Sequence, residues 1–197
     1  MNLMYAKQIK ELEDDIGEFT KSNIYLISSF PYVGKTTFGI ELALTLTARN
    51  KRVLFIGSDI LKSDFEKQLL EYNALTLFGN PQYIQLHYLD NKRFDDMLNA
   101  DEYDFVIIDS DTLMLDVDIG LLKETIRDKN VGILITKQLT RQHFTKRSKQ
   151  PTLSNLKFIN QKTKLKYIAY SDAIIALYNA PESSEKRFSI LKNMIAK

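Results

Sequence analysis

The sequence contains no cysteine among its 197 residues. Disulfide bridges, thiolate metal sites and a cysteine nucleophile are therefore excluded, and the composition fits a reducing compartment. No apolar run approaches the roughly 20 residues that a membrane span needs. The amino terminus continues from Met4 into a charged segment rather than into the apolar core of a signal peptide. We expect a cytoplasmic protein without a membrane segment.

Proline and glycine are also scarce, at 4 and 7 residues. With 44% apolar and 26% charged residues, the composition is that of a folded chain rather than a disordered one. The length suits one domain with a sizeable core. The formal net charge of +2 is too small to indicate a polyanionic partner, so only the local distribution of charge is informative.

Short apolar runs alternate with segments of helical period. Residues 5–19 carry apolar side chains three or four apart, which predicts an amphipathic helix that packs on this domain or on a neighbouring subunit. Strands are predicted at 24–27, 53–56, 83–89, 105–108, 131–136, 173–177 and 188–191, and helices at 35–47, 93–98 and 119–126, with another starting near 63. This alternation predicts the α/β class, with a mostly parallel sheet and helices on both faces. We assign 1–21 to the amino-terminal helix and 22–197 to the α/β domain.

The segment from Ser29 to Thr36 reads Ser-Phe-Pro-Tyr-Val-Gly-Lys-Thr. It matches the P-loop pattern G-x-x-x-x-G-K-[ST], except that serine replaces the first glycine. A strand precedes it and a helix follows, so backbone N–H groups and the helix amino terminus would hold phosphate oxygens. A strand-to-helix turn without function is the alternative. We expect ATP to contact Ser29, Pro31, Val33, Gly34, Lys35, Thr36 and Thr37, with Lys35 on the β and γ phosphates and Thr36 on Mg²⁺.

Three further polar residues follow predicted strands at the same edge of the sheet. Asp109 is a candidate to orient Mg²⁺ through water, and the alternative is a strand-end aspartate that caps a turn. Asp111 is a weaker candidate for that role. Asp59 is a candidate to activate water, or else a helix cap. Gln138 is a candidate to sense the γ-phosphate, or else a solvated loop residue.

Basic residues crowd the polar stretch 137–166 and alternate with Phe144, Phe158 and, just beyond it, Tyr167. Cations mixed with aromatic rings are typical of surfaces that bind single-stranded nucleic acid, whereas a charge run alone is more often a solvated face. Both readings stay open. The candidate contacts to single-stranded DNA are Arg141, Lys146, Arg147, Lys149, Lys162, Lys164 and Lys166.

From about Ile24 to Asn193, these segments resemble the ATPase domain of the DnaB-type replicative DNA helicases, a branch of the RecA-like fold. The P-loop, 28–38, is similar to the family's version, which also has a small residue other than glycine first and a proline two positions later. Segment 133–141 resembles the family's sensor glutamine and following arginine. Asp109 stands at the Walker B aspartate and Asp59 at the catalytic glutamate. The resemblance implies a hexamer that couples ATP hydrolysis to single-stranded DNA in replication or recombination, with other replication proteins as partners.

Two positions depart from the family's pattern. Asp59 is one methylene shorter than the glutamate. Segment 189–194 resembles the strand whose Lys-x-Arg pair reaches the neighbouring subunit's ATP, but Met194 replaces the arginine. An arginine finger contributes on the order of 10³ to 10⁵ in rate in well-studied NTPases. A non-motor ATP-binding regulator of a helicase, with weak or no hydrolysis, is therefore the main alternative, and a small-molecule kinase is a third.

Overall fold

The computed structural model describes residues 5–57, 62–76, 84–87, 102–110, 117–140, 150–158, 160–179 and 186–195. Within these ranges the strands are β1 Ile24–Ser29, β2 Val53–Gly57, β3 Ile84–His87, β4 Phe105–Asp109, β5 Gly132–Gln138, β6 Ala173–Asn179 and β7 Lys186–Asn193. The helices are α1 Ala6–Ile16, α2 Lys35–Ala48, α3 Lys62–Thr76, α4 Ile119–Lys129 and α5 Gln161–Tyr170, and a 3-10 helix spans Leu153–Asn155. The helix predicted at 93–98 lies outside the described residues.

The strands form one 7-stranded sheet in the order β3-β2-β4-β5-β1-β6-β7. All neighbouring pairs are parallel except β6 and β7, which are antiparallel. Every residue of β1, β2 and β4 is buried, as the unbroken apolar runs predict. The predicted α/β class is therefore confirmed. Since parallel strands end at a common edge, the order brings the carboxyl ends of β1, β5 and β4 side by side.

Side chains alternate between two core layers along each strand, as the period of two requires. On β4, Ile107 packs with Phe38 of α2 in one layer, whereas Ile108 packs with Leu122 of α4 in the other. Helices α1, α2 and α3 contribute to the first layer, and α4 and α5 contribute to the second. None of the described helices has both the length and the apolar character that a membrane crossing requires.

Helix α1 packs on its own domain. The inward-facing side chains of this segment are 0–1% exposed and belong to the same core layer as α2: Tyr5, Ile9, Leu12 and Ile16. Glu13 accepts two hydrogen bonds at 2.7 Å from the guanidinium of Arg49, directly after α2. This hydrogen bonding raises the pKa of Arg49. Of the two positions left open for the helix, packing on this domain is observed, and docking on a neighbouring subunit stays a prediction.

Part of the basic stretch 137–166 is helical, which the sequence pattern did not predict. Helix α5 begins after Asn160, whose side chain accepts a hydrogen bond from the Thr163 N–H at 2.8 Å. Closely spaced lysines obscure the apolar period of this helix. Its other end is capped by Lys192 of β7, which donates to three backbone carbonyls, those of Ile168, Ala169 and Ser171.

Candidate nucleotide-binding site

The P-loop joins β1 to α2, as the motif predicts. Ser29 is the last residue of β1 and is fully buried, and its hydroxyl donates to the Phe30 carbonyl at 2.8 Å. Positive φ angles within this loop occur at Tyr32 and Gly34, at 63° and 107°. The first position of the motif is therefore ordinary strand backbone, where glycine's freedom is not needed. This explains how serine is accommodated there.

The first turn of α2 carries the polar end of the motif. Gly34 is the N-cap residue, and Lys35, Thr36 and Thr37 follow it as half-buried residues of the first turn. The first N–H groups of an α-helix have no partner within the helix, and the helix dipole adds positive potential at this end. Together with the ammonium of Lys35, this arrangement suits an anion such as phosphate.

Asp109, at the end of β4, lies against the P-loop helix. Its Oδ2 accepts a hydrogen bond from the Thr36 hydroxyl at 2.5 Å. Its Oδ1 accepts another from the Thr136 hydroxyl of β5, also at 2.5 Å. The carboxylate is only 4% exposed. The structure thus brings together Thr36 and Asp109, the two residues that the sequence assigns to Mg²⁺.

Gln138 ends β5 beside the P-loop. It lies in register with Ser29, and the next N–H, that of Leu139, donates to the Ser29 carbonyl at 2.8 Å. Gln138 itself is exposed at the edge of the sheet. Its backbone position suits the proposed sensing role, since a change in the P-loop would be transmitted directly to the end of β5.

The proposed water-activating residue Asp59 lies outside the described residues, as does Asp111. The strand before Asp59 ends at Gly57, which is in register with Asp109. The chain therefore leaves β2 at the same edge of the sheet as the P-loop. The role of Asp59 stays a prediction.

Two residues at this site were not singled out from the sequence. Thr136 is fully buried and fixes one oxygen of Asp109. A hydroxyl at the end of an otherwise apolar strand, next to the strand that ends in an aspartate, is a weak signal for such a contact. Tyr5 donates from its hydroxyl to the Val33 carbonyl of the P-loop at 2.5 Å. No local pattern indicates that contact, because the two residues are far apart in sequence.

The candidate DNA-binding residues divide into two groups. Arg141, Lys146, Arg147 and Lys149 lie outside the described residues, together with Phe144. The other candidates, Lys162, Lys164 and Lys166, lie on α5, which belongs to the core layer opposite α2. The structure therefore does not bring these lysines to the P-loop face of the sheet.

The α5 lysines differ in their surroundings. Lys162 is exposed, whereas Lys164 donates to the Ser154 carbonyl at 3.0 Å. Lys166 lies 2.8 Å from a carboxylate oxygen of Asp118, and their hydrogen bond raises the pKa of Lys166 and lowers that of Asp118. Of the three, Lys162 has the most accessible ammonium group.

The aromatic side chains near α5 are largely used within the fold. Tyr167 is 5% exposed, and its ring centroid lies 4.9 Å from that of Phe158. The ammonium of Lys137 lies 4.3 Å from the Phe158 ring centroid. In this conformation Tyr167 has no exposed face for a nucleic-acid base, contrary to the expectation that it is a stacking ring.

Comparison with known proteins places this geometry among known folds. No protein-family model matches the chain. One segment is 39% identical over 71 residues to the signal recognition particle receptor FtsY of Mycoplasma pneumoniae, a match that covers 36% of this chain and only 20% of FtsY.

Two solved structures are similar over nearly the whole chain. The isolated ATPase domain of a DnaB-like helicase superposes with a TM-score of 0.72 at 17% identity, covering 100% of this chain and 86% of that one. A DnaB-like replicative helicase, solved in a study of its interactions with primase, superposes with a TM-score of 0.69 at 18% identity, covering 94% of this chain and 57% of that one. The resemblance found in the sequence is thus confirmed in the fold: the chain has the RecA-like P-loop NTPase fold of a DnaB-type ATPase domain.

Proposed function

We propose that this chain binds ATP with Mg²⁺ at the P-loop and hydrolyses it. The observation that carries the proposal is the hydrogen bond between Thr36 of α2 and Asp109 of β4. Thr36 and Asp109 come from segments far apart in sequence, and their meeting beside a helix amino terminus is the arrangement that P-loop NTPases use to hold a metal-bound nucleotide. The fold is consistent with this chemistry.

The residues present suit Mg²⁺. Thr36 and Asp109 offer hydroxyl and carboxylate oxygens, the hard ligands that this ion prefers, and Mg²⁺ commonly takes few protein ligands beside phosphate and water. When bound, the ion neutralises charge on the phosphate oxygens. Thr136 holds Asp109 from the other side, so the carboxylate is oriented toward Thr36 before any ligand arrives.

The remaining roles follow from position at the sheet edge. Lys35 binds the β and γ phosphates, and Ser29, Pro31, Val33, Gly34 and Thr37 shape the loop around them. Asp59 orients the attacking water. Gln138 senses the γ-phosphate and transmits its presence along β5 to the segment that follows. Each of these roles extends the P-loop geometry and is part of the proposal.

The proposed setting is DNA replication or recombination in the cytoplasm. The two structural neighbours, a DnaB-like ATPase domain and a DnaB-like replicative helicase, support an action on single-stranded DNA, assembly into a hexamer and contact with other replication proteins. In this chain, the basic residues of α5 and of the segment before it are the proposed DNA contacts. The chain spans 57% of the DnaB-like replicative helicase it resembles, so the activity of the whole helicase is part of the proposal.

The test is ATP turnover by the purified chain, measured with and without single-stranded DNA. Lys35→Ala should abolish ATP binding and turnover, because the ammonium on the phosphates is lost. The matched control is Lys10→Ala, which removes an exposed lysine of α1 and should leave both unchanged. Tight ATP binding by Lys35→Ala would contradict the assignment of the site.

A non-motor regulator is the second candidate. Met194 stands where the family has its arginine finger and is 71% exposed, and Lys192 is engaged with the end of α5 in its own domain. A chain of this kind would bind ATP to set its conformation while it assembles on a helicase. Saturable ATP binding without turnover, with or without DNA, would favour the regulator over the motor.

A further inference from the structure

The amino-terminal segment touches the P-loop through Tyr5. The phenol hydroxyl donates to the Val33 carbonyl at 2.5 Å. The ring lies under the loop, since a side chain built at Gly34 would come within 3.2 Å of the same hydroxyl oxygen. Tyr5 thus packs against the backbone that leads into α2.

Tyr5 is itself held firmly in this position. It is 0% exposed, and its backbone N–H donates to the buried carboxylate of Glu41 on α2 at 2.8 Å. Its ring meets that of Phe38 edge-on, with centroids 5.4 Å apart. Since both Glu41 and Phe38 belong to α2, the phenol is fixed relative to the helix whose first turn completes the phosphate site.

The hydrogen bond fixes the orientation of one peptide unit. A trans peptide is planar, so its C=O and N–H point in opposite directions. When Tyr5 holds the Val33 carbonyl toward the core, the N–H of Gly34 in the same peptide unit points away from the core. In a P-loop, inward-pointing N–H groups of this kind bind phosphate oxygens. Gly34 needs such an anchor, because glycine has no side chain to favour one backbone conformation.

We propose that Tyr5 is a positioning residue for nucleotide binding, which aims the Gly34 N–H at the phosphates of a nucleoside di- or triphosphate. The inference rests on the proposed function and extends it to the amino-terminal helix. Helix α1 then has a role in the nucleotide site of its own domain, since the residue directly before it carries the side chain that orients the P-loop.

The test removes the hydroxyl alone. Tyr5→Phe keeps the ring and its packing, and the matched control is Tyr25→Phe. Tyr25 is also fully buried in the same core layer, and its hydroxyl accepts a hydrogen bond from the Thr20 N–H at 2.8 Å near the opposite end of β1. Both variants lose one buried hydroxyl hydrogen bond, but only Tyr5→Phe frees the P-loop.

Dissociation constants for ATP and ADP with Mg²⁺ are measured by calorimetry, and thermal unfolding is followed in parallel. We expect Tyr5→Phe to weaken both nucleotides roughly two- to tenfold, as the loss of one hydrogen bond implies. Tyr25→Phe should lower the unfolding temperature without changing nucleotide affinity. A purely stabilising role for Tyr5 predicts the same pattern for both variants and would overturn the inference.

The outcomes separate the two proposals. If wild-type protein binds ATP, Lys35→Ala does not, and Tyr5→Phe binds like wild type, only the role of Tyr5 fails. If wild-type protein does not bind ATP, the proposed function fails and the inference falls with it. If Tyr5→Phe does not fold, NMR relaxation dispersion on nucleotide-free wild type decides: the Gly34 amide should occupy one state, and microsecond-to-millisecond exchange confined to it would overturn the inference.

Discussion

The hydroxyl of Thr136 and the carboxylate of Asp109 form a buried hydrogen bond of 2.5 Å between neighbouring strands. The two residues are 0% and 4% exposed. This contact leaves the other oxygen of Asp109 directed at Thr36 of the P-loop helix. Strand β5, which lies between β1 and β4, therefore does more than separate the two motif-bearing strands: it orients the aspartate on one for the helix that follows the other.

Thr136→Val should weaken the response of nucleotide binding to Mg²⁺. Valine has nearly the shape of threonine but cannot donate, so Asp109 loses a hydrogen bond that fixes its side-chain orientation. We expect the half-saturating Mg²⁺ concentration for ATP binding to rise severalfold, and the free energy of unfolding to fall by about 1–3 kcal/mol because a buried acceptor loses its donor. Thr136→Ser, which keeps the hydroxyl, is the control. Loss of stability with an unchanged Mg²⁺ response would limit Thr136 to a structural role.

The packing of α1 on its own domain predicts a large effect for Leu12→Ala. Leu12 is fully buried in the core layer shared with α2. Truncation of a buried leucine to alanine typically costs about 2–5 kcal/mol, through lost transfer energy and the cavity left behind. Urea denaturation should report a loss in this range at protein concentrations low enough to disfavour assembly. Lys10→Ala on the exposed face of the helix should change stability by no more than about 0.5 kcal/mol. A Leu12→Ala variant as stable as wild type would mean that α1 does not dock on this domain in solution.

Lys192 is predicted to stabilise the fold rather than act on a neighbouring subunit's nucleotide. Its ammonium lies 2.6, 3.0 and 2.6 Å from the carbonyl oxygens of Ile168, Ala169 and Ser171, and a cation at a helix carboxyl end is favourable. Burial lowers the pKa of Lys192. Lys192→Met should lower the free energy of unfolding by about 1–3 kcal/mol, because several carbonyls lose a charged donor.

The ATPase rate distinguishes this role from that of a trans-acting cation. At a temperature where Lys192→Met remains folded, we expect its turnover per molecule to match that of wild type. The control is Lys186→Met on the same strand, which should lower stability less, since Lys186 lies at the opposite end of β7 from the α5 cap. A drop in turnover of tenfold or more, with folding intact, would indicate that Lys192 reaches a neighbouring nucleotide as in the DnaB-type pattern.

The sequence predicted the parts of the site that are encoded locally. The strand, loop and helix from Ile24 to Thr47 follow from one apolar run, one motif and one change of period, and Asp109 follows from its place at the end of another run. Contacts made only in the tertiary structure were not predictable in this way. Thr136 meets Asp109, and Tyr5 meets Val33, across separations of 27 and 28 residues. No spacing rule connects positions that only the folded sheet and the docked α1 bring together.

Helix α5 shows a different limit of sequence patterns. Its charge density predicted a solvated or DNA-binding stretch, and that density concealed a helix with one buried residue, Tyr167. The available signal was Asn160, a favoured N-cap residue, placed before a segment without glycine or proline. Charge alone also could not separate the accessible Lys162 from Lys166, because the partner of Lys166, Asp118, is distant in sequence.

The proposed contact between α5 and single-stranded DNA predicts unequal effects of its lysines. Lys162→Gln should reduce the slope of log affinity against log salt by about 0.7, the value for one phosphate contact on a single strand. Lys166→Gln should change it less, because Asp118 already neutralises that ammonium. Asp118→Asn is the complementary variant: asparagine caps a helix as well as aspartate does, so α4 keeps its N-cap while Lys166 loses its counterion. We expect this variant to bind DNA more tightly and with a steeper slope than wild type. Fluorescence anisotropy of a labelled oligonucleotide, titrated at several salt concentrations, measures all three. Equal slopes in wild type and all three variants would remove α5 from the DNA-binding surface.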